Sequence, residues 1–404
     1  MKIGSDFVSK ERKKGFLFGA LFGVVLTFGI ISAARYFGVS LYIPGSVTQQ
    51  IHDKSSVIEK CIKEYYQGEI NEEELANQAA KGMVNALGDK YSQYFTEEEY
   101  KELMNGINGS YVGIGVTLRQ MEDGSKVITE VSEGGPAAQA GIQKDDKIVR
   151  VDGDDVTGME LNDMISRIKK EANDGKTIVI TVERVTESGD VQTIDKDVVC
   201  GRVDVVSVRS KKFGTIGYIK ISEFDKETDK QFGTAVENMR KDAVSGLVID
   251  VRDNGGGSLD ATINMLDELL PEGELITEKS KKYGDKTYRS TDDSSFSVPT
   301  AVLINGRSAS ASEVFAGTLQ ARKAATLVGT KSFGKGIVQT VLSLASSCGG
   351  GLKLTTAEYF LPGGISIHKK GLTPDIEIEL ENAQGEYKEE NDNQLQRALQ
   401  VVGG

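Results

Sequence analysis

The strongest constraint on the fold is a pattern of apolar strand, tight turn and helix that occurs twice in the second half of the chain. In the first copy, a strand at residues 246–251 runs into three consecutive glycines. In the second, a strand at residues 300–304 runs into a serine-rich turn and a helix at residues 309–321. Further strands and helices alternate between residues 201 and 383, and this alternation predicts an α/β layered core.

The turn of the second copy places three serines where its helix begins. At that position the helix dipole favours a developing alkoxide, and the free N–H groups of the first turn can bind an oxyanion. A helix needs only one serine as an N-cap, whereas Ser308, Ser310 and Ser312 occupy alternate positions. The spacing suggests a nucleophile but does not select which serine attacks.

The residues available as a general base are few. The chain has two histidines, His52 and His368, and neither is near a serine-rich turn in the sequence. Lysine is the known substitute for histidine beside a nucleophilic serine. Lys335 lies between two glycines at the start of an apolar strand, and Gln339 follows four residues later with a carbonyl that can orient an amine.

A lysine in such a place is more commonly a solvated residue at a strand edge. To act as a base it needs its pKa of about 10.4 lowered by several units, which burial can supply. The serines and this lysine together predict a Ser-Lys hydrolase.

The glycines at residues 255–257 follow a buried strand, so their N–H groups can point inward as an oxyanion hole. A phosphate-binding loop is disfavoured because the Gly-Lys-Ser/Thr ending is missing. A flexible turn that needs positive φ is the structural alternative.

Residues 106–200 contain short β-rich runs, of which the first, at residues 111–118, predicts a strand. The region resembles a PDZ domain of the permuted type found in proteases. The resemblance rests on two runs, at residues 134–142 and 145–153, in which a short Pro-x-x-x-Ala-Gly helix precedes a strand that ends in Asp-Gly. Such a domain binds a peptide's terminal carboxylate through backbone N–H groups and adds the peptide as a strand. The corresponding positions here are Gly113, Ile114, Gly115 and Val116.

The N-terminal region predicts a membrane anchor. Residues 15–34 carry no charge over a length of about 30 Å as a helix, which matches a bilayer core. Basic residues dominate residues 1–14, so the positive-inside rule places this tail in the cytoplasm and the rest of the chain outside. We therefore expect a single transmembrane helix at residues 15–35, with a cleaved signal peptide as the alternative.

Composition excludes some classes of function. The net charge of −12 argues against nucleic-acid binding, which needs a clustered basic surface. The three cysteines lie far apart and show no metal-ligand spacing. Helical patterns at residues 45–105 and 384–404 flank the PDZ domain and the core at residues 201–383, and these helices could pair with a second copy of the chain.

The combined pattern resembles the carboxy-terminal processing (tail-specific) protease family, serine peptidases that contain a PDZ domain. The resemblance extends over roughly residues 80–400, in the family's order. The motifs that carry it are Asp250-Val-Arg-Asp-Asn254, Ser308-Ala-Ser-Ala-Ser-Glu313, Phe333-Gly-Lys-Gly-Ile-Val-Gln339, Leu354-Thr-Thr-Ala357 and Gly371-Leu-Thr-Pro-Asp375.

The resemblance implies roles for individual residues. Ser310 corresponds to the nucleophile, Lys335 to the general base and Gln339 to the residue that positions it. The backbone N–H groups of Ala311 and Gly256 correspond to the oxyanion donors. Some members carry an acidic residue eleven positions after the serine. The corresponding residue here is Ala321, so a Ser-Asp-Lys mechanism is excluded.

The fold expected from the resemblance is α/β, with a crotonase-like layered protease core, an inserted PDZ domain and an N-terminal helical region. The expected function is a membrane-anchored endopeptidase outside the cytoplasm that selects proteins by their C-termini and uses neither metal nor other cofactor. The alternatives are a non-catalytic PDZ scaffold and a crotonase-like acyl-thioester enzyme, which shares the layered core and the glycine loop.

Overall fold

The computed structural model describes residues 46–121, 123–172, 175–186, 188–291, 296–381 and 389–403. The chain divides into two compact units, Met1–Ala76 and Asn77–Gly404. None of the helices within the described ranges has both the length and the apolar character of a membrane span. The span predicted at residues 15–35 lies outside the described residues.

The described part of the first unit consists mainly of helix α1 (Val47–Tyr65), which begins where the Ser46 hydroxyl accepts a hydrogen bond from the Gln49 amide. Val57, Ile58 and Tyr65 of α1 are exposed, and the helix has no buried side chain. The pairing of this helix with a second copy stays a prediction. Helix α2 (Glu72–Asn85) begins in the same unit.

A short strand and a helix precede the PDZ region. Strand β1 (Gln93–Phe95) was not predicted; it lies within the region expected to be helical. Helix α3 (Glu97–Asn108) starts with a capping box, in which Thr96 and Glu99 exchange hydrogen bonds between side chain and backbone.

The region expected to be a PDZ domain forms a small antiparallel fold around its own apolar core. The largest sheet has the order β3-β4-β5-β7-β8, with β6 beside β5. Its elements are β2 (Ser110–Gly113), β3 (Val116–Gln120), β4 (Lys126–Val131), α4 (Pro136–Gln139), β5 (Lys147–Val151), β6 (Asp154–Asp155), α5 (Leu161–Glu171), β7 (Thr177–Val185), β8 (Val191–Val199) and β9 (Gly201–Asp204).

One predicted strand of this region is in fact two. The run at residues 111–118 is divided between β2, which pairs with β9, and β3, which pairs with β4. Gly115 separates them with φ +77°, a conformation that favours glycine. The loop between the two strands is therefore free to face a ligand.

Between residues 216 and 329 the remaining elements alternate strand and helix as expected, apart from a hairpin at residues 273–290. The strands at residues 208–213, 351–360 and 376–377 were also not predicted. The remaining elements are β10 (Val208–Phe213), β11 (Ile216–Ile221), α6 (Thr228–Lys241), β12 (Gly246–Asp250), α7 (Leu259–Leu269), β13 (Gly273–Ser280), β14 (Gly284–Ser290), β15 (Thr300–Ile304), α8 (Ala311–Ala321), β16 (Thr326–Gly329), β17 (Ile337–Ser343), β18 (Gly351–Phe360), β19 (Ile376–Glu377) and α9 (Asn393–Gly403).

The central sheet has the order β10-β11-β12-β15-β16-β19, and its strands are parallel except for the β10–β11 pair. All five residues of β12 are buried, as expected for a parallel strand covered on both faces. Side chains of α6, α7 and α8 form one core cluster with this sheet, and those of α9 form another. The mixed α/β architecture is thus confirmed.

A second sheet, β1-β18-β13-β14 with β17 beside β18, contributes to the same core. Leu275, Ile276, Tyr359 and Leu361 from its strands and the bridge that follows belong to the cluster that contains α6, α7 and α8. Hairpin β13–β14 was not predicted, because most side chains of β14 are polar and exposed and give no apolar alternation.

The start of α9 is joined to the end of β12 by a buried ionic network. The Arg252 guanidinium donates to Asp250 and Asp392, each at 2.7 Å, and to Gln394 at 2.9 Å. Burial alone would lower the pKa of Arg252, but the two carboxylates outweigh it and raise the pKa. All four side chains are buried, so loss of one partner would leave an uncompensated buried charge.

The apolar face of α9 is also used within the chain. Leu395, Ala398 and Val402 are buried against the central sheet. We expected the C-terminal helix to pair with a second copy of the chain. Within the described residues, the apolar face of α9 is already covered by the central sheet, so it does not support that pairing.

Candidate active site

The loops that follow three neighbouring parallel strands meet at one edge of the central sheet. They follow β12, β15 and β16, and carry the glycine loop, the serine turn and Lys335 respectively. The carboxyl ends of parallel strands are the usual place for a ligand site in such sheets. This topology brings together segments that are separated by up to 80 residues in the sequence.

Two of the three serines hold the turn to the glycine loop. The Ser308 hydroxyl donates to Val251 O at 2.8 Å, and the Ser312 hydroxyl donates to Asn254 O at 2.8 Å. Both side chains are fully buried. The Ser310 hydroxyl differs, because it is not bound to a buried backbone carbonyl and its side-chain partner is the Tyr359 hydroxyl. Ser310 is thus the serine whose proton is available for chemistry.

Ser310 has an unusual backbone conformation. Its φ is +56° and its ψ is −115°, which lies outside the well-populated regions for a residue with a side chain. Such a conformation costs on the order of 1–3 kcal/mol and persists only when its surroundings enforce it.

The carboxylate of Glu313 is the first of these enforcing contacts. It accepts hydrogen bonds from the backbone amides of Ser310 at 3.0 Å, Gly334 at 2.7 Å and Lys335 at 2.7 Å, and from the Ser332 hydroxyl at 2.5 Å. Glu313 is completely buried. All four partners are donors, so Glu313 acts as an acceptor-only carboxylate that joins the serine turn to the lysine loop.

The second contact is the hydroxyl of Tyr359, on β18. It lies 3.0 Å from Ser310 O and also donates to Lys335 O. Burial raises the pKa of Tyr359 well above its ordinary value, and Glu313 raises it further. The phenol therefore remains protonated and able to donate.

Lys335 lies in surroundings that favour its neutral form. Burial lowers its pKa, and the nearby Lys353 lowers it further, whereas Glu313 and Asp89 act in the opposite direction. Its Nζ lies 4.9 Å from the centre of the Tyr91 ring and forms no ion pair with a carboxylate of the described residues. The net result is a pKa below that of an ordinary lysine.

Gln339 lies on β17, opposite Thr355 and next to a β-bulge at Val338. Its Nε2 is buried and has no hydrogen-bond partner among the described residues, and the same holds for Thr355 Oγ1. Buried polar atoms without partners are costly and uncommon. They are consistent with a site that is completed by substrate or water.

The glycine loop approaches the serine turn closely. A Cβ on Gly256 would lie 2.8 Å from both Ala311 N and Ser310 Cβ, and a Cβ on Gly257 would lie 1.9 Å from Phe224 O. Both residues have positive φ, at +100° and +145°. Only glycine fits at these two positions.

The two backbone amides expected to bind an oxyanion differ. The Ala311 amide has no acceptor among the described residues, as is usual for the first residue of a helix. The Gly256 amide donates to Asn254 Oδ1 at 2.9 Å. The fully buried Asn254 also donates to Ile221 O, so its side chain shapes the loop from within. This contact was not predicted from the sequence.

The expected peptide-binding residues line a groove of the PDZ region. A cavity of about 670 Å³ lies between the loop that contains Gly113–Val116 and helix α5. Gly113 itself ends strand β2, whereas the amides of Ile114 and Gly115 have no acceptor among the described residues. Apolar side chains from β3 and α5 line the groove together with two lysines: Leu118, Ile165, Ile168, Ala172, Lys101 and Lys169.

Glu313, Tyr359 and Asn254 are the residues of the site whose contacts sequence reasoning missed. Glu313 and Asn254 lie within the motifs noted above, where a helix cap or a turn explains them equally well. Tyr359 lies on an apolar strand and shows no signal at all. Only the packing of β18 against the serine turn brings its hydroxyl to the site.

Comparison with known proteins identifies both parts of the chain. The profile of peptidase family S41 matches residues 215–378, and that of the PDZ domain matches residues 107–183. A probable CtpA-like serine protease from Staphylococcus aureus is 32% identical over 364 residues, which span 89% of this chain and 71% of that protein. A protein of the same description from Staphylococcus haemolyticus is 33% identical over 365 residues, with the same coverage.

A solved structure shares the fold. It belongs to a putative S41 protease from Bacteroides fragilis, which is 18% identical to this chain. The match has a TM-score of 0.51 and spans 80% of this chain and 90% of that chain.

Replacement of each serine by alanine should separate structural from chemical roles. Ser308→Ala and Ser312→Ala should each lower the free energy of unfolding by about 1–3 kcal/mol, because a buried carbonyl loses its donor. Ser310→Ala should change it by less than about 0.5 kcal/mol and abolish peptidase activity. Urea titrations and cleavage assays of the three folded variants give both quantities. Full activity in Ser310→Ala would contradict this assignment.

Proposed function

Since the chain belongs to peptidase family S41, as a serine peptidase related to the CtpA-like proteases, we propose that Ser310 is its nucleophile and Lys335 its general base. The observation that carries this proposal is the buried Glu313 carboxylate, which binds the backbone amides of both residues. Two further observations support it: Ser310, unlike Ser308 and Ser312, does not use its hydroxyl to bind a buried carbonyl, and the pKa of Lys335 is lowered.

The proposed reaction is acyl transfer through a covalent intermediate. The neutral Lys335 amine accepts the proton of the Ser310 hydroxyl while the serine oxygen attacks the scissile carbonyl. The resulting ammonium gives that proton to the leaving amine as the peptide C–N bond breaks. Water then attacks the acyl-enzyme, with Lys335 again accepting a proton, and releases the second product and the free serine.

The developing oxyanion is bound by the Ala311 amide at the start of α8, where the helix dipole adds to the hydrogen bond. Gly256 serves as the second donor by exchanging the neutral acceptor Asn254 for the oxyanion, which is the stronger acceptor. Gln339 orients the Lys335 amine through its side-chain carbonyl. We also propose that the core is crotonase-like, which is supported by the two helix clusters that pack on the central sheet.

The pH dependence of the reaction tests the base. Activity should rise with pH as Lys335 loses its proton, with a midpoint below the ordinary lysine value of about 10.4, because a lowered pKa leaves the neutral amine populated at lower pH. Lys335→Arg should be inactive, since arginine does not deprotonate in proteins. The measurement is kcat/KM against pH for hydrolysis of a fluorogenic peptide.

Two controls accompany this measurement. His368→Ala should keep the pH profile, and a chelator should not change the rate. Peptide and acyl-thioester substrates are also compared in the parent chain and in Ser310→Ala. A peptidase cleaves the peptide and loses this activity in Ser310→Ala, an acyl-thioester enzyme acts on the thioester, and a scaffold acts on neither. An inactive but folded His368→Ala variant would count against lysine as the base.

The PDZ groove is the site at which we propose that substrates are selected by their C-termini. The free amides of Ile114 and Gly115 can bind a terminal carboxylate, and Val116 begins the strand to which the peptide adds. The apolar side chains of Leu118 and Ile168 favour an apolar terminal residue.

Amidation of a substrate's C-terminus tests tail selection. Charge-assisted hydrogen bonds to a carboxylate contribute roughly 1.5–3 kcal/mol, so the amide should be cleaved about tenfold or more slowly than the free acid below saturation. The two forms of one peptide are compared with the full chain in detergent. Equal rates would leave the groove without a role in capturing tails.

For the location of the enzyme, we propose that residues 15–35 anchor the chain in the cell membrane, with the catalytic region outside the cytoplasm. The uncharged run and the basic residues before it support this topology. The chain should stay with membranes after alkaline carbonate extraction and be degraded when protease is added to intact protoplasts. Release by carbonate would favour a cleaved signal peptide, and protection from protease would contradict the orientation.

A further inference from the structure

We propose that Glu313 and Tyr359 are positioning residues that together fix the backbones of Ser310 and Lys335 relative to each other. This inference rests on the proposed roles of Ser310 and Lys335. Neither side chain reacts. Both are buried, and together they keep the nucleophile and the base at a productive distance.

Glu313 and Tyr359 bind opposite backbone groups of Ser310 and Lys335. Glu313 accepts hydrogen bonds from the amides of Ser310 and Lys335, and Tyr359 shares its single hydroxyl proton between their two carbonyl oxygens. Each catalytic residue therefore has both polar groups of its backbone bound by the same pair of side chains. Neither residue can move relative to the other without the loss of at least two of these bonds.

The two positioning residues are themselves firmly held, from different layers of the molecule. Glu313 lies in the first turn of α8, and the Ser332 hydroxyl that donates to it also accepts from the Leu372 amide at 2.6 Å. Tyr359 lies on β18, and its amide donates to Gly336 O at 3.1 Å. The contacts thus connect the central helix layer to the second sheet across the catalytic residues.

The unusual conformation of Ser310 explains why two contacts are needed. The Ser310 carbonyl also accepts from the amides of Glu313 and Val314, each at 2.9 Å. Loss of the Tyr359 hydroxyl therefore leaves this carbonyl bound to α8 but no longer joined to Lys335. A backbone with φ +56° and ψ −115° relaxes when such a constraint is removed. Relaxation would turn the hydroxyl away from the base and from the Ala311 amide. A displacement of about 1 Å is enough to reduce the rate by roughly a hundredfold.

The same contacts determine how much water reaches Lys335. The charged and titratable groups around its side chain come from several elements: Asp89, Lys90 and Tyr91 before β1, Glu313 on α8, Lys353 on β18, and His368 beside Gly336. Burial is the largest cause of its lowered pKa. If Lys335 moves outward, the ammonium form gains hydration, and the pKa returns toward the ordinary lysine value.

The test removes the hydroxyl group of Tyr359. Tyr359→Phe keeps the ring in the core and removes the donor to both carbonyls. We expect kcat to fall about 10- to 100-fold with KM changed less than about twofold, because substrate binding is untouched. The midpoint of the pH–rate profile should rise by about 0.5 unit or more. The rate at which a fluorophosphonate labels Ser310 should fall in parallel with kcat.

A matched variant controls for the loss of a tyrosine hydroxyl. Tyr288 lies in the same sheet and packs against the same core, and its hydroxyl donates to Glu278 at 3.1 Å rather than to the backbone of Ser310 or Lys335. Tyr288→Phe should keep kcat within about twofold and leave the pH midpoint unchanged.

A second pair of variants keeps the proposal testable through Glu313. Glu313→Gln offers one acceptor oxygen in place of two and points an NH₂ group at backbone donors. Its control is Glu99→Gln, which alters the other capping box at the start of α3. The expected result is the same loss of kcat in Glu313→Gln and no loss in Glu99→Gln. The pH midpoint is read only in Tyr359→Phe, because removal of the Glu313 charge by itself lowers the pKa of Lys335.

The outcomes separate this proposal from the proposed function. If folded Tyr359→Phe keeps kcat within twofold and the pH midpoint of the parent chain, the positioning role is wrong, whatever the roles of Ser310 and Lys335. If it lowers only the thermal midpoint, Tyr359 is structural and the proposal is equally wrong. If fluorophosphonate still labels the Ser310→Ala variant, the proposed nucleophile is wrong, whatever the role of Tyr359.

Discussion

The buried carboxylate of Glu313 is the interaction on which the arrangement of the site depends. A charge in a dry interior is tolerated only when hydrogen bonds replace its hydration, and here four donors do so. The donors come from the serine turn and from the loop that follows β16. The Glu313 carboxylate therefore holds the serine turn next to the loop that contains Lys335, because it needs hydrogen-bond donors from both.

The PDZ groove and the glycine loop are connected by backbone hydrogen bonds. Helix α3 lines the groove, and Ile107 O, near its C-terminal end, accepts from the Lys226 amide. Phe224, two residues earlier, donates to Gly256 O and accepts from the Ser258 amide. One short segment before α6 thus contacts the helix beside the peptide groove and the loop beside Ser310.

Much of the fold could be predicted from local patterns. Strands β12 and β15 and helix α8 lie close to their predicted limits, because their apolar spacing is strong. Hairpin β13–β14 and the division of residues 111–118 between two sheets were missed. A largely exposed strand such as β14 has no apolar alternation, and the pairing of β2 with β9 joins residues about 90 positions apart.

The sequence by itself determined the family, the alternation of strand and helix, and the short set of residues that includes Ser310, Lys335 and Gln339. Motifs of local spacing carry that information. Only the tertiary structure decided that Ser308 and Ser312 are tied to buried carbonyls, and that Tyr359 reaches both catalytic backbones. These contacts join segments 24 to 58 residues apart. Their geometry follows from how the layers pack, which local spacing does not encode.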